Sequence, residues 1–481
     1  MFKTKKGNIA VLGSCVLGIC LLALGCKVPQ ATTVSSNKVI PGNYEQNKDS
    51  INMSAIQWRN FFSDQNLVTL IDTALKNNQE LMITLQEIEM ARNDIRFRKG
   101  ALLPNGGIRA GAGVEKVGRY TSQGAGDATT EIKPGKEMPD PLGDFTVAAF
   151  ASWEVDIWNK LHNAKKAAVT RYLATIEGRN FVLTNLIAEI ANSYYELLAL
   201  DNQLQIVRQN IELQKNALEI IKIQKEGARA TELAVQKFQA EVLGSQSMEY
   251  DILQKIKEAE LKINLLLGRY PQPVVRDQSN FLNLVSPVVN AGIPSQLLAN
   301  RPDIKQAELE LAASKLDVKV ARAEFYPRLG ISAQFGLQAF NPAYIVTLPE
   351  SMLFSLAGDL IAPVINRNAI QAEFSNANAR QIQAMYNYER VILNAYIEVA
   401  TQQSKISNLE KSYDLKSQQV EALNRSINAA IDLYKSARAD YLEVLLTQRD
   451  AVETKLELIE TKKEQLNAVI NIYRNLGGGW K

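Results

Sequence analysis

In this chain of 481 residues the cysteines and histidine are few, and their positions exclude Cys- and His-based metal sites and most catalytic triads. All three cysteines, Cys15, Cys20 and Cys26, lie at the N-terminus, and His162 is the only histidine. A metal site or a nucleophile–base pair needs several such groups brought together. None can be assembled, so no catalytic residue, cofactor or metal site is expected, and an enzyme is the weakest reading. The formal charge of +3 is near balance, and no basic run with interleaved aromatics appears. Nucleic acid is therefore not an expected partner. His162 reads as an ordinary residue near a strand-to-helix junction.

The one covalent step written in the chain is at its start. Lys3, Lys5 and Lys6 form a basic region, Ile9 to Leu24 an apolar one, and Ala23-Leu24-Gly25-Cys26 resembles a lipobox. These features fit an export signal over residues 1–25, with Cys26 acylated and opening a lipidated linker, 26–55. A plain signal peptide or a signal anchor is the alternative. Mass spectrometry of the mature N-terminus should find Cys26 carrying lipid; an unmodified terminus elsewhere would contradict this. No later stretch has the ~20 apolar residues that a spanning helix requires.

The rest of the chain must supply architecture, and it does so twice. Asn77, Glu80, Leu81 and Pro104 match Asn300, Asp303, Ile304 and Pro327 at a common offset of 223. Asn192, Tyr194 and Glu196 match Asn394, Tyr396 and Glu398 at 202, and Ala228-Arg229-Ala230 matches Ala437-Arg438-Ala439 at 209. The last two offsets differ by one heptad, which keeps a helical seam in phase. Two copies imply a pseudo-symmetric object, with repeats over 56–290 and 291–475 and a tail of 476–481.

Each repeat contains a long heptad run. Leu183, Ile190, Leu197, Leu204, Ile211 and Leu218 form the first; Met385, Ile392, Val399, Ile406, Tyr413, Val420, Ile427 and Tyr434 form the second. This is coiled-coil spacing. No proline lies between Pro141 and Pro271 or after Pro363. Each helix should therefore run on the order of 60 residues, about 90 Å. A second helical run follows each, over 231–267 and 440–474, after turns at Glu226–Ala230 and Ser436–Ala439. Alone, these helices fit a soluble antiparallel coiled coil.

Four segments alternate with period two instead: 108–114, 145–153, 329–337 and 352–360. Small and polar residues interleave with larger apolar ones, as in a wall between lipid and a lumen. The loop from Glu115 to Asp144 is rich in Gly, Ser, Thr and Pro and reads as extracellular. Four strands cannot close a membrane barrel, and open edges are not tolerated in lipid, so several copies must assemble. An ordinary soluble β-subdomain is the alternative.

Several motifs resemble the TolC-like outer-membrane factors, most closely their lipoprotein branch, the OprM/NodT type. Gln57-Trp58-Arg59-Asn60-Phe61-Phe62-Ser63-Asp64 is similar to that branch's opening helix, and Leu266-Leu-Gly-Arg-Tyr-Pro271 to its Leu-Leu-Gly-x-x-Pro. Ile293 to Ile304, containing Asn300-Arg301-Pro302-Asp303, resembles its hallmark; Phe325-Tyr-Pro-Arg328, Tyr434, Tyr441-Leu442 and Gln448-Arg449 also fit. The resemblance implies a mainly α fold with a small membrane β-barrel portion. Three copies would share a 12-stranded barrel, four strands each, and a hollow α-barrel of coiled-coil helices projecting into the periplasm. It implies an outer-membrane location in a Gram-negative bacterium and a passive exit duct of a tripartite efflux pump. A periplasmic adaptor would join this duct to an inner-membrane transporter, of RND type, exporting small molecules such as drugs.

The resemblance also assigns sites. The adaptor's tips would meet Gly227, Ala228 and Arg229 in one turn and Ser436, Ala437 and Arg438 in the other. Tyr441, Glu443 and Leu446 map to the segment that narrows the periplasmic mouth. Two departures fall there. Ala437 stands where the family often has glycine, and Leu446 where related channels carry an aspartate; Glu443 holds the acidic position three residues earlier. A duct for type I protein secretion or metal export is the alternative within the family. A lipid-anchored periplasmic coiled-coil structural protein is the alternative outside it.

Overall fold

The structure, a computed structural model, describes residues 29–31, 41–44, 52–278, 281–284, 290–365, 367–436 and 438–480. Cys26, the export signal and Ala437 lie outside the described residues.

The first half opens with α1 (Gln65–Asn77), α2 (Gln79–Gly100) and β1 (Asn105–Glu115). Then come β2 (Glu131–Lys133), β3 (Lys136–Glu137), β4 (Leu142–Val155), α3 (Lys160–Glu226) and α4 (Glu232–Leu266). The second half gives a short turn of helix at Gln296–Asn300, then α5 (Pro302–Ala323), β5 (Arg328–Ala339), β6 (Met352–Ile361), α6 (Asn368–Lys435) and α7 (Tyr441–Asn475). The order thus repeats, apart from the β2–β3 hairpin. That hairpin and a short helix at Ser122–Asp127 occupy the long first loop.

Local chemistry explains the boundaries. The Asp64 carboxylate accepts the N–H groups of Asn66 (2.8 Å) and Leu67 (3.4 Å), capping α1. The Asn78 amide oxygen accepts the Leu81 N–H at 3.0 Å and starts α2. With no proline to break them, α3 and α6 run for 67 and 68 residues, about 100 Å at 1.5 Å per residue.

The chain divides into two compact units, each drawing on both halves. One comprises Met90–Tyr172 and Leu309–Met385 with the N-terminal residues; the other comprises Ser36–Glu89, Leu173–Glu308 and Tyr386–Lys481. The first holds a four-stranded antiparallel sheet in the order β1-β4-β5-β6. Beside it Val318, Ala321, Phe325, Phe374 and Ala377 form a small apolar cluster.

The second unit holds the main core. Leu67, Ile71, Ile187, Ile190, Leu197, Ile263, Ile304 and Ile459 are all fully buried, each contributing roughly 1.5–3 kcal/mol. The repeat is visible in how its helix pairs end. Gly268 (φ 64°) follows α4 and Gly477 (φ 85°) follows α7. At each, the N–H two residues past the last helical turn reaches back: Arg269 to the Asn264 carbonyl (3.1 Å) and Gly478 to the Tyr473 carbonyl (3.0 Å). The left-handed conformation favours glycine there. Close approach enforces it, because a Cβ at Gly268 would overlap the Asn77 carbonyl, and one at Gly477 the Asn300 carbonyl.

Candidate functional site

The strand register sorts the sheet into two unlike faces. Directly opposed residues share a face and alternate residues oppose it. Ile108 opposes Ala149, which opposes Phe335, which opposes Phe354. On that face β1 carries Ile108, Ala110, Ala112 and Val114, and β4 carries Phe145, Val147, Ala149, Ala151 and Trp153. β5 carries Leu329, Ile331, Ala333, Phe335 and Leu337, and β6 carries Met352, Phe354, Leu356 and Leu360. None is charged or polar, yet Ile108, Phe354 and Leu356 are 82, 80 and 79% exposed. The opposite face carries Arg109, Glu115, Asp144, Thr146, Glu154, Arg328, Ser332, Gln334, Gln338, Ser355 and Asp359. There the Gln338 amide donates to Asp144 Oδ1 at 2.8 Å. Leu142, Phe150, Leu353 and Ile361 also lie on this face, Phe150 against Gly107, whose missing side chain leaves room for the ring. Among the described residues β1 and β6 each have one neighbour, so both outer edges present unpaired backbone groups.

The helix-pair turns are built from backbone bonds. After α3 the Ala228 N–H donates to the Lys225 carbonyl (2.9 Å) and the Arg229 N–H to the Gln224 carbonyl (2.8 Å). The left-handed residue is Ala228 (φ 55°), not Gly227, because Gly227 still donates helically to the Ile223 carbonyl (3.1 Å). The other turn repeats the long bond, Arg438 N–H to the Leu433 carbonyl at 2.9 Å. Gly227, Ala228, Arg229, Ser436 and Arg438 are all exposed. Among the described residues neither guanidinium has a side-chain partner.

Both turns share one apolar cluster. Leu218, Ile221, Val235, Phe238, Val242 and Leu445 are buried in it, with Tyr434, Tyr441 and Leu442 at its edge. The Tyr441 ring lies 5.9 Å from that of Phe238, and the Tyr434 hydroxyl donates to Gln224. Leu445 is 5% exposed and is the seam residue, whereas Leu446 is 39% exposed. Glu443, three residues earlier on the same side of α7, is exposed as well. The start of α7 therefore keeps Tyr441 and Leu445 for packing and leaves Glu443 and Leu446 free of it.

The hallmark segment acquires a physical meaning. The Arg301 side chain, 7% exposed, donates to Asp303 Oδ2 (2.7 Å), Glu398 Oε2 (2.8 Å) and the Asn475 carbonyl (2.9 Å). Burial opposes the charge, but Asp303 and Glu398 outweigh it and raise the guanidinium pKa. Arg301 thus ties the start of α5 to α6 and to the end of α7. His162 stands at the first turn of α3 beside Asp156. That carboxylate accepts the N–H groups of Leu161 (3.1 Å) and His162 (2.8 Å), so Asp156 caps the helix.

A sheet with one apolar, exposed face, a polar face and two open edges defines a protein of the membrane-channel class. The family model described as outer membrane efflux protein matches residues 70–269 and 293–478, and the chain belongs to that family. It is 30% identical over 426 residues to the pyoverdine export outer membrane protein OpmQ of Pseudomonas aeruginosa, covering 88% of each chain. It is 26% identical over 454 residues to the cation efflux system protein CusC of Escherichia coli (strain K12), covering 94% of this chain and 93% of that one. A crystal structure of CusC superposes with a TM-score of 0.81 at 24% identity, covering 93% and 99% of the two chains. The open-state Neisseria gonorrhoeae MtrE outer membrane channel gives 0.80 at 20%, covering 95% and 98%. The chain is an outer-membrane efflux channel of a Gram-negative bacterium.

Proposed function

We propose that three copies of this chain form the passive exit duct of a tripartite pump, anchored by lipid on Cys26. The two-faced sheet carries this reading. An apolar face turned to lipid and a polar face turned to a lumen satisfy both surroundings. Each edge is then paired with the neighbouring copy, because unpaired backbone groups in hydrocarbon cost several kcal/mol each. Four strands from each of three chains give 12. An inner-membrane transporter, of RND type, supplies the energy and a periplasmic adaptor joins it to the duct. Native mass spectrometry in detergent is expected to show three chains. A stable inserted monomer would contradict the proposal.

The cargo we assign is small organic molecules such as drugs. The relative at 30% identity is an exporter of pyoverdine by name, which favours organic cargo. Metal export is the second reading, favoured by the cation efflux relatives at 26–27% identity. Growth of a deletion strain on antibiotic and on metal gradients distinguishes the two: lost drug tolerance supports the first, lost metal tolerance alone the second.

For the periplasmic mouth we propose a mixed gate. Three Glu443 carboxylates around one axis make a cation-binding ring, and three Leu446 side chains make an adjoining apolar ring that dewets. Tyr441 packs nearby. Glu443→Ala and Leu446→Ser should each increase leakage of the closed channel several-fold in single-channel recordings. Glu443→Ala should also weaken block by divalent cations. Two variants that conduct like the parent would place the constriction elsewhere.

A further inference from the structure

The connection after α4 touches all four helices of the two long pairs. From its first part, Arg276 reaches α3 and α4 together. The guanidinium holds both oxygens of Asp201 on α3, with Nη2 at 3.0 Å from Oδ1, and its Nη1 lies 2.7 Å from Glu260 Oε1 on α4. The three side chains are 13, 5 and 19% exposed. The Asn202 amide on α3 adds a bond to the Gln278 carbonyl at 3.4 Å.

Further along, Phe281 is buried and the connection meets α6 and α7. Here the contacts are of another kind. Lys462 on α7 donates to the Leu284 carbonyl at 2.6 Å, and the Tyr413 hydroxyl on α6 donates to the Leu282 carbonyl at 3.5 Å. The ammonium lies 5.3 Å from the Tyr413 ring centre. Lys462 is 7% exposed, and among the described residues no carboxylate pairs with it. A buried ammonium with one carbonyl and one ring is poorly compensated, and burial accordingly lowers its pKa. A desolvated bidentate ion triad holds far more firmly than two single bonds to carbonyls.

We propose that residues 274–278 and 281–284 form an unequal clasp around the two helix pairs, fixed to α3–α4 by Arg276 and held releasably on α6–α7 by Lys462 and Tyr413, so that letting go at Lys462 permits the duct to widen. The clasp rests on the channel reading. Conductance of the parent channel in bilayers is therefore measured first, and a parent that never conducts refutes that reading rather than the clasp.

The test uses the full-length detergent-purified assembly with Lys462→Met, Tyr413→Phe and their combination. Lys462→Met keeps the apolar stem and removes the donor. Tyr413→Phe removes only a hydroxyl and leaves packing intact. Hydrogen exchange is followed at the Leu284 amide, which donates to the Phe281 carbonyl at 3.3 Å. The double variant should exchange there at least tenfold faster and leak several-fold more in the closed state. Lys462→Arg, which keeps a donor, should restore both. Unchanged exchange would overturn the clasp. Faster exchange without added leakage would overturn its control of the duct. If Lys462→Met fails to assemble, Tyr413→Phe alone decides by the same two readings.

Discussion

Gly227→Trp should abolish export while leaving assembly and membrane insertion at parental levels. Gly227 is exposed at the end of α3, and a Cβ there meets only the Gln224 and Ile223 carbonyls, at 3.6 and 3.8 Å. Those are ordinary contacts, so the folded chain accepts a side chain. Its φ is not left-handed, so a larger residue brings no backbone strain, and the change in stability should stay within ~1 kcal/mol. The indole would instead stand on the outer surface of the turn, where we propose the adaptor docks. Gly227→Ala is the matched control and should export normally. The measurements are drug accumulation in cells and trimer content in outer-membrane fractions. Normal export by Gly227→Trp would remove the adaptor from this turn. The neighbouring position gives the opposite effect: Ala228→Gly should relieve the left-handed alanine by roughly 1 kcal/mol.

Arg276→Met is expected to be the most destabilising single change outside the apolar core. It leaves the buried Asp201 and the half-buried Glu260 without their shared cation. Breaking a buried ion pair from one side costs about 3–5 kcal/mol, mostly from the charge left uncompensated. A urea titration followed by circular dichroism should show an earlier transition in the helical signal. Adding Asp201→Asn and Glu260→Gln to Arg276→Met should recover most of the loss, because the remaining groups are then neutral. If the triple variant is as unstable as Arg276→Met alone, the loss comes from packing of the arginine stem rather than from charge. The triad should hold through the neutral and mildly alkaline range. Its partners raise the Arg276 pKa despite burial, so its contribution is complete below the unfolded arginine pKa and lost only at extreme alkalinity.

Local periodicity made much of this protein legible without coordinates. The heptads from Leu183 and from Met385 required long helices, and the long proline-free runs kept them whole. Period-two alternation marked all four membrane strands, which extend by a few residues beyond 108–114, 145–153, 329–337 and 352–360. The repeated Asn, Tyr and Glu positions pointed to structural roles that the fold explains. Tyr194 donates to the helix-capping Asp64 at 2.7 Å, and Glu398 receives Arg301.

Only the tertiary structure could decide the rest, because it depends on partners far apart in sequence. Alternation says that a strand has two faces, but the register across β1, β4, β5 and β6 puts every apolar set on the same side. A slip of one residue in any strand would mix them. The left-handed residue of the first turn is Ala228, because Gly227 still donates helically to the Ile223 carbonyl. Leu445 and Leu446 are alike in sequence; packing against Phe238 and Val242 buries one and exposes the other. Arg276 lies 75 residues from Asp201 and 16 from Glu260. No periodicity links an irregular connection to two helices, so the grip on them arises only when the chain closes on itself.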